Sequence, residues 1–186
     1  MKRLFDLLLA IILIILLAVP CILIALSIRL TSRGPILYWS KRIGRDNQIF
    51  NMPKFRSMIV STPPLATHLL NSPQSFLTPV GGFLRRNSLD ELPQIWSILL
   101  GEMSFVGPRP ALYNQVDLMA LRTKAQVHTL MPGLTGWAQV NGRDELSISI
   151  KVDFDYEYMQ KQSFFFDVYI LCLTFIKVFK KDGVTH

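Results

Sequence analysis

Ionised side chains are scarce in this 186-residue chain: Asp, Glu, Lys and Arg make up 18%. An average soluble domain carries about a quarter, so part of the chain is expected to face lipid. Cysteine is scarcer still. Cys21 and Cys172 lie in apolar runs and share no metal-binding spacing, which excludes a disulfide framework and fits a reducing cytoplasmic setting. His68, His128 and His186 are far apart and form no zinc signature. Any metal therefore falls to carboxylates, which favour a hard ion such as magnesium. Positive charge is also missing from most of the chain. Residues 1–60 hold nine Lys or Arg against two Asp, whereas residues 61–186 hold eleven of each sign. The excess sits beside the first apolar segment, as contact with anionic lipid headgroups or phosphates requires, and not in the aromatic-interleaved pattern of a nucleic-acid surface.

What is present begins with residues 7–28, a 22-residue stretch without a charge and long enough to cross a bilayer. Its length and the following Arg29 and Arg33 argue against a cleaved signal peptide. Pro20 interrupts it, and Ser27 can serve backbone groups near its end. Lys2 and Arg3 precede it, and Arg29, Arg33, Lys41, Arg42 and Arg45 follow. Positive flanks on both sides favour a re-entrant hairpin that dips in and returns. A straight span and a buried core helix remain the alternatives.

Gly34 and Pro35 open a new section, read as domain 34–186 after a membrane segment 1–33. Residues 36–43 predict a strand, 44–47 a turn with Asn47 suited to a left-handed conformation, and 48–58 a returning strand whose middle Pro53 either weakens or places at an edge. Lys54 and Arg56 share one face of it and serve either as an exposed basic edge or as a phosphate site, Arg56 being the better fork for two oxygens. Residues 61–75 carry three prolines and read as a loop, lid or broken membrane-surface helix. Thr78 and Pro79 resemble a helix start.

The stretch 85–110, RRNSLDELPQIWSILLGEMSFVGPRP, is the densest in chemistry. Ser88 followed by Glu91 reads as a capping box before apolar residues at helical spacing, so Asp90 and Glu91 fall in a first helical turn. The positive dipole end there should keep Asp90 ionised and can receive a phosphate. The GPRP turn, residues 107–110, holds Arg109 in a fixed direction. The plainer reading makes Glu91 a cap, Asp90 a surface charge and Arg109 an exposed loop residue.

Beyond it, residues 112–127 predict a helix. Residues 134–143 predict a short strand bearing Trp137 and Val140, then a hairpin-type Asn141-Gly142 turn. Arg143 is placed to reach an anion or to pair with Asp144 or Glu145. Asp153, Asp155 and Glu157 alternate along a further helix. Residues 164–179, rich in aromatics, suit either an interfacial helix or a buried one.

Three ordered motifs, GPILYWSKRIGRDNQIFNMPKFRSM, LRRNSLDELPQIWSILLGEMSFVGPRP and MPGLTGWAQVNGR, resemble the bacterial sugar transferase family, the polyprenyl-phosphate sugar-1-phosphate transferases. The similarity is to its small monotopic members, without the multi-span N-terminal domain of larger relatives. It implies an α/β fold: a compact, mainly helical domain with short β-hairpin elements, an N-terminal re-entrant membrane helix and interfacial amphipathic helices. Val19-Pro20 stands where the family's re-entrant helix breaks at Ser-Pro.

The resemblance further implies that Asp90 attacks the β-phosphate of a UDP-sugar and Glu91 holds magnesium. Lys54, Arg56, Arg85, Arg109 and Arg143 match phosphate-site or supporting positions. The product would be a polyprenyl (undecaprenyl) diphospho-sugar, formed at the cytoplasmic face of the bacterial inner membrane as the first membrane step of glycoconjugate assembly. Implied partners are the UDP-sugar, polyprenyl phosphate and anionic lipids, with a second copy or downstream glycosyltransferases in addition, and no nucleic acid. Two rivals remain: a magnesium-dependent diphosphate hydrolase using the same carboxylates, and a non-catalytic membrane-anchored assembly module.

Overall fold

A computed structural model describes residues 1–63, 73–142 and 146–180. It is mostly helical, with little strand. The first element, α1, is a continuous helix Lys2–Thr31 that contains Pro20. Its run of Leu, Ile and Ala offers nothing that competes with helix hydrogen bonding. The missing proline N–H removes one bond from the ladder without ending it. At its end, Ser27 Oγ donates to Leu23 O at 2.8 Å and Thr31 Oγ1 to Ser27 O at 2.6 Å.

Helix α1 lies along the rest of the protein. Ala10 is buried in the main core, with Leu9, Leu13 and Leu17 packed against it. Ile28, beyond Pro20, is buried in a second cluster with Phe55 and Leu84. Contacts thus run over nearly its whole length, about 45 Å for a straight 30-residue helix. The other faces of α1 leave Ile11, Ile15, Leu16, Val19 and Leu23 exposed. Such a continuous apolar surface marks contact with lipid.

Lys2 and Arg3, expected as flanking charges, are bonded to other parts of the protein. Lys2 Nζ donates to Asp167 Oδ2 at 2.6 Å and to Val106 O at 3.0 Å. Arg3 donates to Ile98 O and Leu99 O, carbonyls in the last turn of a later helix.

The predicted hairpin is present: β1 Leu37–Ile43 pairs antiparallel with β2 Ile49–Phe55, from Ile43↔Ile49 to Leu37↔Phe55. Asp46 and Asn47 both take positive φ in the turn, 54° and 59°. The strand β4, Ala111–Leu112, pairs with the other edge of β1, so Pro53 sits on an edge strand as its missing N–H requires.

Next come α2 Gly81–Arg86, a 3-10 helix Leu89–Gln94 and α3 Ile95–Leu100. Helix α2 begins after Val80, not at Thr78, whose hydroxyl instead bonds to Ser57 O. Strand β3, Ser104–Val106, runs parallel to β5, Gly133–Thr135. Between them lies α4 Val116–Lys124, shorter than predicted. After them come α5 Trp137–Val140, α6 Ile148–Lys161 and α7 Phe164–Lys180.

Trp137 and Val140 are therefore helical, and only residues 133–135 of that stretch are extended. The turn of the chain is set by backbone contact between the two family-like motifs. A β-carbon on Gly133 would lie 2.1 Å from Gly107 N, and one on Gly136 2.1 Å from Gly107 O. Glycine at these places is what lets the segments touch.

The main core joins Phe50 and Met52 of β2, Ile98 of α3, Phe105 and Val106 of β3, and Ile170 of α7. Ile98 and Ile170 are wholly buried, each contributing roughly 1.5–3 kcal/mol. Helix α7 buries Asp167 and Ile170 while exposing Phe165, Tyr169, Phe175 and Ile176, so it presents an apolar outer face.

Candidate active site

Asp90 and Glu91 stand in the 3-10 helix Leu89–Gln94, next to β2. The capping box does not form: Ser88 takes a left-handed conformation, φ 53°, and its side chain accepts no cap bond. Pro93 lies inside this segment and its ring opposes a regular α-turn there, so the tighter helix precedes α3. Glu91 does not fold back on Ser88. Its Oε1 accepts from Lys54 Nζ at 2.8 Å and from Arg109 Nη2 at 3.1 Å. Burial alone would raise the Glu91 pKa, but these two cations and their hydrogen bonds outweigh it and hold the carboxyl well below the usual range.

Asp90 behaves in the opposite way. It is 8% exposed, and burial raises its pKa, reinforced by the Glu91 charge and only partly countered by Lys54 and Arg85. The expected dipole effect, which would have lowered it, does not decide the direction. The two neighbouring carboxyls are thus driven apart, Glu91 locked as an anion and Asp90 poorly solvated. Such divergence is characteristic of reactive sites.

Asp90 opens onto a cavity of about 540 Å³, within the range that holds a small ligand. Among the described residues seven Lys and Arg side chains line it, and Asp90 is the one carboxylate. That charge pattern selects a polyanion. Lys54, Arg85 and Arg109, which the resemblance implies as phosphate-site or supporting residues, line the same cavity as Asp90. Glu91 sits behind, joined to the cavity through Lys54 and Arg109.

Arg56 also lines the cavity, but its guanidinium is committed elsewhere. Nη1 donates to Arg33 O at 2.5 Å, and Nη2 to Ser32 O at 2.9 Å and Ser32 Oγ at 2.7 Å, which ties β2 to the end of α1. It is 4% exposed, and burial, then the Arg29 charge, lowers its pKa. Gly34, at φ 118°, leaves the space it fills, since a β-carbon there would lie 2.0 Å from Arg56 Nη1. Arg143 lies outside the described residues, as does most of the proline-rich loop.

Sequence patterns missed Arg42, Arg122 and Lys151, which line the part of the cavity formed by β1, α4 and α6. Arg122 forms an ion pair at 2.7 Å with Asp155, which is 1% exposed. No spacing rule connects residues 33 positions apart; the one local hint was an acid in the alternating series of α6.

The donor set bears on magnesium. Among the described residues no three His, Cys, Asp or Glu side chains gather into a metal cluster. The adjacent Asp90 and Glu91 fit magnesium as it usually accompanies diphosphates, held by one or two carboxylates with phosphate oxygens and water completing the shell. Both cations converge on Glu91 Oε1.

A cavity rich in Lys and Arg, on a domain packed along an exposed apolar helix, is the arrangement of a membrane-associated protein. Within that class the chain belongs to the bacterial sugar transferase family, whose pattern matches residues 1–181. It is 38% identical over 184 residues to the sugar transferase EpsL of Bacillus subtilis, a match covering 99% of this chain and 90% of that one. The undecaprenyl-phosphate glucose phosphotransferase of Komagataeibacter xylinus is 40% identical over 184 residues, covering 93% of this chain. This chain spans only 35% of that longer protein. The exopolysaccharide production protein ExoY of Sinorhizobium fredii is 35% identical, over 93% of this chain and 83% of its own length.

Proposed function

We propose that the protein is a phosphoglycosyl transferase that moves a sugar-1-phosphate from a UDP-sugar to polyprenyl phosphate through a covalent intermediate on Asp90. The observation that carries this reading is the buried Asp90 carboxylate, the one carboxylate among the described lining residues of a cavity that also receives seven Lys and Arg side chains. The family membership and the acceptor named in the Komagataeibacter relative support the substrate classes.

In the first step a carboxylate oxygen of Asp90 bonds to the β-phosphorus while the bond to the UMP oxygen breaks, and UMP leaves with those electrons. In the second, a phosphate oxygen of the lipid bonds to the same phosphorus, the Asp90–phosphorus bond breaks, and the carboxylate is regenerated. Dividing the transfer in this way replaces one demanding step by two easier ones. Lys54, Arg85 and Arg109 offset the repulsion between a carboxylate and a diphosphate, and hold the charge on the transferred oxygens. Glu91 keeps Lys54 and Arg109 in place and, with Asp90, would hold magnesium. That ion, when bound, neutralises part of the diphosphate charge.

The test is to trap the intermediate. Protein incubated with a panel of UDP-sugars without lipid, then denatured and digested, should give a peptide containing Asp90 heavier by a sugar phosphate. An adduct on another residue, or one that persists in Asp90→Asn, removes Asp90 from this role. UMP release that continues catalytically without polyprenyl phosphate would favour hydrolysis over transfer.

Transfer to a membrane-borne acceptor is best served if α1 enters and leaves the cytoplasmic leaflet. The packing of α1 from Lys2 to Ile28 against one domain supports this. A helix crossing the bilayer would have to take that polar domain in with it or give up half of those contacts. The outer face of α7 suits the same interface, with anionic lipids beneath it. A cysteine in a short extension ahead of Met1, in a Cys21→Ala, Cys172→Ala background, should resist an impermeant thiol reagent in intact cells and react once they are permeabilised. Labelling of intact cells would mean that Met1 lies on the far side and that α1 spans. Contact with a second copy or with downstream glycosyltransferases completes the proposal.

A further inference from the structure

The turn that carries Arg109 is held by hydrogen bonds at six consecutive residues. Phe105 N donates to Asp6 Oδ1 at 3.2 Å, and Val106 O accepts from Lys2 Nζ at 3.0 Å and Tyr158 Oη at 3.3 Å. Gly107 N donates to Thr135 O, and Pro108 O accepts from Gly133 N, both at 2.9 Å. The last two carbonyls are taken by arginines. Arg109 O accepts from Arg122 Nη1 at 2.8 Å and Pro110 O from Arg42 Nη1 at 3.1 Å.

Arg122 is itself fixed. Its Nε and Nη2 both donate to Asp155 Oδ2, at 3.0 and 2.7 Å. Asp155 is 1% exposed on α6, and the Arg122 side chain 12%. An almost fully buried carboxylate is costly unless it is paired and hydrogen-bonded, as Asp155 is by Arg122. Here it orients a guanidinium whose remaining edge grips the backbone of the residue that reaches Glu91.

We infer that Arg122 and Asp155 are a positioning pair for Arg109: they aim its guanidinium at Glu91 and at the phosphate in the cavity. This rests on the proposed reading of the cavity as the phosphoryl-transfer site. Three of the five Arg122 N–H donors are engaged by Asp155 and Arg109 O, and the bond to Arg109 O is the route by which it acts on the site. Misplacing an electrostatic group by about 1 Å is enough to cost about a hundredfold in rate. Lysine at 122 has one nitrogen for two partners and cannot hold Asp155 and Arg109 O in the same geometry.

The experiment is a double-mutant cycle on the full-length protein in detergent or nanodisc, with Arg122→Lys, Arg109→Ala and the two combined. Arg122→Lys should fold, checked by its thermal transition, and should lower kcat about ten- to hundredfold with little change in KM for the UDP-sugar. In the Arg109→Ala background the same change at 122 should lower kcat no further, because nothing is left to aim. Asp155→Asn should repeat the pattern. Additive losses, or a rise in KM that survives in the Arg109→Ala background, would overturn the positioning role and make Arg122 a structural or direct substrate residue. If Arg109→Ala alone leaves turnover intact, the reading of the site fails along with it, an outcome distinct from additivity.

Discussion

Asp90→Asn should abolish sugar-phosphate transfer, by at least about a thousandfold, and at the same time raise the thermal midpoint of the protein. The two effects share one cause. Asp90 is 8% exposed, and burial raises its pKa against the pull of Lys54 and Arg85. A carboxyl whose folded pKa lies above its unfolded value, about 3.9 for Asp, contributes stability only while neutral. That contribution is complete below the unfolded pKa and is lost as pH rises through the folded one. At neutral pH the ionised carboxylate is therefore a cost to the fold. Asparagine has similar shape, no charge to desolvate and no nucleophilic oxygen. The variant should melt higher than the wild type at pH 7 and draw level with it as pH falls below about 4. A lower midpoint at pH 7 would mean that loss of the anion among the cavity cations outweighs relief of burial. Retained transfer would end the case for Asp90 as nucleophile.

The sequence pattern around Asp90 misleads in a particular way. Ser88 and Glu91 have the spacing of a capping box, and local rules predict that Glu91 turns back to the backbone. In the fold, two cations from distant parts of the chain compete for the same carboxylate and win, because charged partners in a half-buried setting are stronger than one backbone N–H. The hairpin of β1 and β2 was legible since its signals are local: alternation, a turn that tolerates positive φ, and a proline that demands an edge. The apolar α1 was legible from length alone.

The parallel pairing of β3 with β5 was not, because three-residue strands carry no period and their partner lies beyond α4. The same holds for Arg56, which looked like a phosphate fork on an exposed edge and is occupied with the end of α1. Lys2, read as a flanking charge, meets Asp167 across 165 positions. The residues that could be read as a site were those gathered in short motifs. The residues that hold the site in place were scattered, and only packing brings them together.

Glu91→Gln is where the two readings of that motif part most clearly. A cap accepts glutamine, so a capping role predicts an unchanged melting temperature. The ion pairs predict otherwise. Glutamine would leave Lys54, 16% exposed, and Arg109, 36% exposed, facing a neutral amide. Removing one partner of a buried pair costs about 3–5 kcal/mol, and the exposed share of Arg109 reduces this to about 2–3 kcal/mol. For a chain of this length that is a fall of about 5–10 °C in the thermal midpoint. The pH dependence has the opposite sign to that of Asp90. Because the folded pKa of Glu91 is depressed, its stabilisation is present above the unfolded value, about 4.3, and is lost as pH falls from there through the folded pKa. The gap between wild type and Glu91→Gln should therefore be constant from pH 6 to 8 and close below about pH 4. Turnover, measured where both proteins are folded, should drop by about a hundredfold or more, with a weakened response to magnesium. An unchanged midpoint would return Glu91 to the role of a cap. A lowered midpoint with normal turnover and magnesium response would leave it as the holder of Lys54 and Arg109 and take it out of the metal site.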